Sequence, residues 1–337
     1  YPNLHTIVYG RRGLNPEDLR PPTMLPSSPA DLSNWMGELI PDDVPITALR
    51  GIPGTHNSAA VRSRSPCLHG ISWEWAQCQT ASIAQQLEMG VRFFDLRLRA
   101  LGAKTPGSSG GGAHVVISHT LASSYSWRDV VLQFVEFLDA HQREVLVVMV
   151  KRDWNHRDEW CGEESSDAVW AALHSVAGDA RLLPPSALTA NGGDLTVRMG
   201  DLRGRILPIV ADAALLHTSD AVRPTIRRWG VDLSSAECWS CGSQRIAREI
   251  LLTSVAAKAA AAAEQASSTT LRRHETNVLL LKGVVFPRTV ACFMNAWLTG
   301  ALADGGPLEG SDVGVLTVDF IDAVVARRIV ALNCLVL

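Results

Sequence analysis

The run Val145 to Val150 is six consecutive apolar residues cut off by Lys151-Arg152-Asp153, too short for a stable helix and with no polar face to offer water. Such a segment reads as a strand covered on both faces, which points to parallel-sheet architectures, where crossover helices lie on either side. Val44 to Ile52, Val91 to Leu98, His114 to Ser118, Arg205 to Val210 and Val313 to Asp319 are further strand candidates. Between them fall amphipathic stretches. Thr80 to Met89 is closed by Gly90, and Trp127 to His141 repeats Val130, Val131, Phe134 and Leu138 at helical spacing. Strand, helix, strand in this order predicts an α/β fold with right-handed crossovers, an open or closed parallel sheet, and any site at the carboxyl ends of its strands.

Composition narrows the function classes. At 337 residues, 47% hydrophobic and 19% charged, the chain is globular and long enough for one large domain or two small ones. With 31 Lys+Arg against 34 Asp+Glu it has no global basic field, so nucleic acid is not the expected partner. Lys258 and Glu264 interrupt the Ala-rich run after Leu251, and no stretch is apolar enough for a spanning helix. The chain opens at Tyr1 rather than Met, which leaves a removed signal, a cropped chain and a fragment all open. The compartment is unassigned, with secretion or peripheral membrane association as the alternatives.

Residues 1–30, with Pro2, Pro16, Pro21, Pro22, Pro26 and Pro29, read as an irregular arm, and the folded unit is expected from Asp31 to the end. Gly102 to Gly112 reads as a loop and Ala256 to Ala266 as an Ala-rich helix. Among seven cysteines, Cys238 and Cys241 form a lone C-x-x-C that nothing nearby completes to four zinc ligands; buried thiols or one local disulfide are the plainer readings.

The expected strand ends carry the chemistry. They read Gly51-Ile52-Pro53-Gly54-Thr55-His56-Asn57-Ser58, Asp95-Leu96-Arg97, Ser118-His119, Lys151-Arg152-Asp153 and Asp319. Singly, each has a bland reading as a solvated or backbone-bonded loop residue. On one rim they make an anion site with two histidines to move a proton on and off. No cluster of carboxylates supplies the hard oxygen ligands of a calcium or magnesium site, so the expected cation is Arg97, with no metal and no cofactor.

Several separated blocks resemble the X domain of bacterial-type phosphatidylinositol-specific phospholipases C. They are Asn34-Trp35-Met36 through Ile40-Pro41-Asp42-Asp43-Val44-Pro45-Ile46 to Ser58, Gln86 to Arg97, Ile117-Ser118-His119, Glu144 to Lys151, Gly200 to Arg205, and Val313-Gly314 to Ile321. They keep the family's order over roughly residues 32 to 334. The region around Cys78-Gln79 is also similar to the kinetoplastid enzymes that release glycosylphosphatidylinositol anchors.

The resemblance implies a distorted TIM-type (β/α) barrel of one domain that cleaves phosphatidylinositol, or a glycosylphosphatidylinositol lipid, to diacylglycerol and a 1,2-cyclic inositol phosphate. It implies that His56 takes the proton of the inositol 2-hydroxyl, that Asp319 orients His56, and that His119 protonates the departing oxygen. Arg97 would occupy the place where the animal enzymes hold calcium, with Asp95 holding it and Lys151 bonding the inositol ring. Asn57 stands where the bacterial enzymes have Asp, and Ala211 where an inositol-binding Arg is expected. Trp75 matches an aromatic that inserts into lipid; with Trp73 it marks a peripheral membrane contact, core packing being the alternative. The competing readings are a catalytically silent barrel that binds phosphoinositide head groups or a protein partner, and the metal-dependent phosphodiesterase barrels.

Overall fold

The structure is a computed structural model that describes residues 29–61, 76–102, 114–119, 121–153, 160, 162–183, 197–216, 231–232, 271–275 and 287–335. Trp73, Trp75, Cys238, Cys241, the Gly/Ser-rich segment 103–113 and the Ala-rich segment 256–266 lie outside the described residues, as do residues 1–28.

Among the described residues nine strands form one sheet: β1 (Gly51–Thr55), β2 (Phe93–Leu101), β3 (His114–His119), β4 (Leu121–Ser126), β5 (Val145–Arg152), β6 (Arg205–Val210), β7 (Val231–Asp232), β8 (Leu271–Glu275) and β9 (Gly314–Val318). The pairs β6-β5, β5-β2, β2-β1, β1-β9, β9-β8 and β8-β7 are all parallel. The helices are α1 (Trp35–Leu39), α2 (Ile83–Glu88), α3 (Trp127–Ala140), α4 (Gly162–Arg181, broken at Gly178), α5 (Met199–Leu202), α6 (Pro287–Ala301) and α7 (Ala323–Ala331). This is a mixed α/β, distorted TIM-type barrel of one domain, open between β6 and β7 among the described residues. No helix among them is long and apolar enough to cross a membrane.

The apolar pattern explains the core. Val145 to Val150 is fully buried, as a doubly covered strand requires, and α3 turns Val130, Val131, Phe134 and Leu138 inward. Reciprocal capping boxes start α2 (Ser82 with Gln85) and α3 (Ser126 with Asp129). Three fully enclosed indoles each donate to a carbonyl: Trp35 to Gly90, Trp127 to Val169 and Trp170 to Leu215. A side chain at Gly54 would press on Thr317 and Phe93 of the flanking strands, so glycine lets β1 sit between them.

At the amino ends of the strands, Arg92 and Glu144 form an ion pair at 2.7 Å with neither side chain exposed. The remaining guanidinium protons go to the carbonyls of Leu32, Ser33, Leu87 and Val91, and Glu144 accepts from the amides of Met36 and Gly37. That satisfaction is what makes a buried pair tolerable, and it closes the barrel floor.

Three expectations need correction. Val44 to Ile52 is not one strand: Pro45 caps a short 3-10 turn, Ile46–Ala48, and β1 begins only at Gly51. The strand at His114 is antiparallel, and β4, which no apolar run announced, returns beside it. β2 is longer than its apolar run. Its first residues pair with β1 (Gly54 with Phe93, Thr55 with Phe94), then it outruns β1, and Leu98 to Leu101 pair with Ile117 to His114. Since β5 occupies the other edge of β2 as far as Leu98, β3 takes the edge that β1 leaves free and runs back toward the ends of the parallel strands.

Candidate active site

β1 and β9 run side by side with Thr55 opposite Val318, so the next residue of each, His56 and Asp319, leaves its strand at the same level. His56 Nδ1 lies 2.9 Å from Asp319 Oδ1, and both side chains are almost wholly buried. The other ring nitrogen, Nε2, faces Arg97 Nη2 at 3.0 Å and Asn57 Nδ2 at 3.1 Å. A guanidinium can only donate, and a carboxylate accepts. With these partners the ring carries its proton on Nδ1 and presents a lone pair at Nε2.

Arg97 comes from β2 and Lys151 from β5, in direct register. Asp95, expected beside Arg97, has Oδ2 joined to Lys151 Nζ at 3.0 Å. Arg97 Nε is buried with no acceptor among the described residues, a donor of the kind that natural interiors rarely leave without a purpose. Asn57 Oδ1 is likewise buried and without a partner among the described residues.

His119 arrives at the end of β3, and its ring lies 6.3 Å from that of His56, nearly perpendicular. Nδ1 donates to the carbonyl of Ala76 at 2.8 Å, so here too the proton sits on Nδ1 and Nε2 is bare. Burial lowers its pKa to about 4, with the Arg97 cation pushing the same way against the Ala76 carbonyl, so the free protein holds a neutral His119 at pH 7. Beneath it, Ser118 donates to Asp153 at 2.6 Å.

Thus His56, His119, Arg97, Asp319 and Asn57 are brought together, with the Asp95–Lys151 pair on the neighbouring strands. Ala211, just past β6, gives its amide to Val150 and adds no polar side chain. On the outer side of the same ends, Arg152 holds Asp212 through two bonds of 2.7 and 3.2 Å.

The sequence resemblance touches Cys78-Gln79 but assigns the segment 76–79 no role in the site. Cys78 Sγ lies 3.6 Å from His119 Nδ1 and 3.5 Å from Asn57 Nδ2; burial, with Asp319 nearby, keeps the thiol protonated. His56, Cys78 and Asp319 offer ligand atoms within 4.8 Å of one another, but in this state those atoms are occupied in hydrogen bonds among themselves and with Asn57. Gln79 is fully buried between the strand ends. In the sequence it is marked only by the resemblance at Cys78-Gln79 and by being a carboxamide among the small or apolar residues Ala76, Cys78 and Ala81.

A parallel barrel with paired histidines and an arginine at its carboxyl rim has the fold of the phosphatidylinositol-specific phospholipases C. Over 90% of this chain and 99% of the other, it superposes on such an enzyme from Staphylococcus aureus with a TM-score of 0.64 at 16% identity. The Listeria monocytogenes structure gives 0.61 at 20% identity, covering 89% of this chain and 97% of that one. In sequence, the chain is 25% identical over 221 residues to mouse PI-PLC X domain-containing protein 1, which is 59% of either chain. It is 26% identical over 206 residues to the 1-phosphatidylinositol phosphodiesterase of Listeria monocytogenes, 60% of this chain and 54% of the relative. The aligned region thus spans somewhat over half the length of these relatives. No protein-family model matches the chain.

Proposed function

We propose that the chain is a metal-independent phosphatidylinositol-specific phospholipase C that cleaves phosphatidylinositol, or its glycosylated form, to diacylglycerol and a 1,2-cyclic inositol phosphate. The observation that carries this reading is His56, held by Asp319 on one nitrogen and turned toward Arg97 with the other. A bare Nε2 beside a guanidinium is a base next to an anion site, which is what an in-line attack of a hydroxyl on its neighbouring phosphodiester needs.

The steps follow from the donor set. In the free protein two N–H groups converge on the one lone pair of His56 Nε2. A bound phosphodiester draws Arg97 onto its oxygens, where the buried Nε–H, without an acceptor among the described residues, also finds one, and frees Nε2 for the inositol 2-hydroxyl. His56 removes that proton, and Asp319 stabilises the imidazolium. The 2-oxygen forms a bond to phosphorus as the bond to the diacylglycerol oxygen breaks.

His119 delivers the proton that oxygen needs. Because it is neutral when free, its proton at Nε2 depends on the anionic substrate, which offsets the Arg97 charge and raises its basicity. Lys151, neutralised by Asp95, donates to inositol hydroxyls, and Asn57 stands ready beside Nε2. Since the acyl chains stay in the bilayer, the protein docks peripherally, with Trp73 and Trp75 as the sequence's candidates for the contact.

The test is incubation with phosphatidylinositol vesicles in excess EDTA, followed by 31P detection of the cyclic product. Its appearance supports the reading. Vesicle binding without product favours the head-group binder, and activity that returns only with a divalent ion removes the role given to Arg97.

A further inference from the structure

The two residues with left-handed backbone outside glycine are Asn57 (φ 42°) and Phe320 (φ 50°), among those described. Each directly follows a member of the pair: Asn57 follows His56, and Phe320 follows Asp319. Such a conformation is strained for a residue with a side chain and persists only where the surroundings impose it. At the Phe320 turn Asn295 Nδ2 donates to the carbonyls of Asp319 and Phe320, 3.0 Å each, and one further side chain, Gln79, bonds main-chain groups at both turns.

Gln79 Nε2 donates to the carbonyl of His56 at 3.0 Å and to that of Val318 at 2.9 Å, and Gln79 Oε1 accepts from the amide of Ile321 at 3.3 Å. One fully buried carboxamide therefore spends both protons and its oxygen on the two strand exits. The main chain around it completes the strap. Cys78 and Gln79 amides reach Ala60, the Cys78 carbonyl accepts from Phe320 at 2.7 Å, and the Ala76 carbonyl fixes His119. These bonds span up to 242 residues of chain, and together they set three side chains of the site against one another.

We infer that Gln79 is a positioning residue: through the carbonyls of His56 and Val318 it sets the register of the His56–Asp319 pair and so keeps the His56 proton on Nδ1. It touches neither substrate nor a reacting atom. A shift of about 1 Å in such a pair is enough to cost on the order of 100-fold in rate. This inference rests on the proposed reaction for its kinetic consequence, but not for its spectroscopic one.

Gln79→Met keeps the volume and removes all three bonds, while Gln79→Asn keeps the amide one carbon short. The expected result is a fall of about 10- to 100-fold in kcat with KM for phosphatidylinositol within about threefold, and a smaller fall for Gln79→Asn. The 15N shifts of His56 should change from a single Nδ1–H tautomer to a mixture. Asn333→Leu is the control, since Asn333 braces the other end of β1 by the same chemistry, joining the amides of Arg50 and Gly51 and the carbonyl of Gly51. It should lower melting temperature as much while leaving the tautomer and pH profile as they are.

Unchanged His56 shifts in Gln79→Met, or equal changes in Asn333→Leu, overturn the inference. Where Gln79→Met does not fold, Gln79→Asn carries the same comparison. A wild-type protein that cleaves no phosphatidylinositol would defeat the proposed reaction and leave the tautomer result to decide the role of Gln79.

Discussion

Asp319 Oδ1 sits 2.9 Å from His56 Nδ1 across 263 residues of chain, and that bond decides which nitrogen of His56 is basic. Asp319→Asn keeps the shape but turns an acceptor into an amide that can donate to Nδ1, which moves the ring proton to Nε2 and removes the base. A loss of about 100- to 10,000-fold in kcat is expected with little change in melting temperature, measured by cyclic-product formation and a thermal scan. Near-normal turnover would show that His56 is not the base.

The acid and the base separate by leaving group. His119→Ala should lose about 100- to 10,000-fold on phosphatidylinositol, yet much less on an inositol phosphodiester whose leaving group is a nitrophenolate, which departs without a proton. His56→Ala should lose on both. Equal losses for the two variants on both substrates would take the acid role away from His119.

His119 also ties stability to pH. Its pKa is lowered to about 4 in the fold against about 6.5 when unfolded, so between those values the unfolded chain binds the extra proton. The stability His119 contributes is present above pH 6.5 and drains away as pH falls toward 4, by up to about 3 kcal/mol. Urea melts from pH 7.5 to 4 should show this slope, and His119→Gln should flatten it; an unaltered slope in the variant would assign it to other groups.

Arg97→Lys replaces a fixed fork by a point charge and drops the buried Nε donor, so catalysis should fall by two or more orders of magnitude, and calcium should not restore it. Rates of the wild type in EDTA and then in calcium complete the comparison. Rescue of Arg97→Lys by calcium would mean that Asn57 serves as a metal ligand.

Trp75→Ala should weaken vesicle binding roughly 5- to 30-fold, the equivalent of ~1 to 2 kcal/mol of interfacial burial, and leave cleavage of a soluble inositol phosphodiester almost unchanged. Sedimentation with phosphatidylinositol vesicles measures the first and a soluble-substrate assay the second. A lowered melting temperature with intact vesicle binding would make Trp75 a core residue.

His56, Arg97, Lys151 and Asp319 were legible from sequence because each closes or follows an apolar run, and parallel strands deliver their carboxyl ends to one rim whatever the loops between them do. The span of α3 was legible for a similar reason, since its four expected core positions recur at the helical period. His119 also ends its strand, but that strand is not one of the parallel set. It reaches the rim because β2 outruns β1 and carries an antiparallel β3 back down, and no local pattern states how far one strand extends beyond its neighbour. Gln79, Cys78 and the Ala76 carbonyl belong to a segment with no periodicity, and the partners that give them meaning lie up to 242 residues away. The sequence by itself determined which chemical groups stand at the strand ends, because burial and period are local properties. Tertiary structure alone decided their distances, tautomers and charges, because those depend on atoms that only the closed sheet brings within 3 Å.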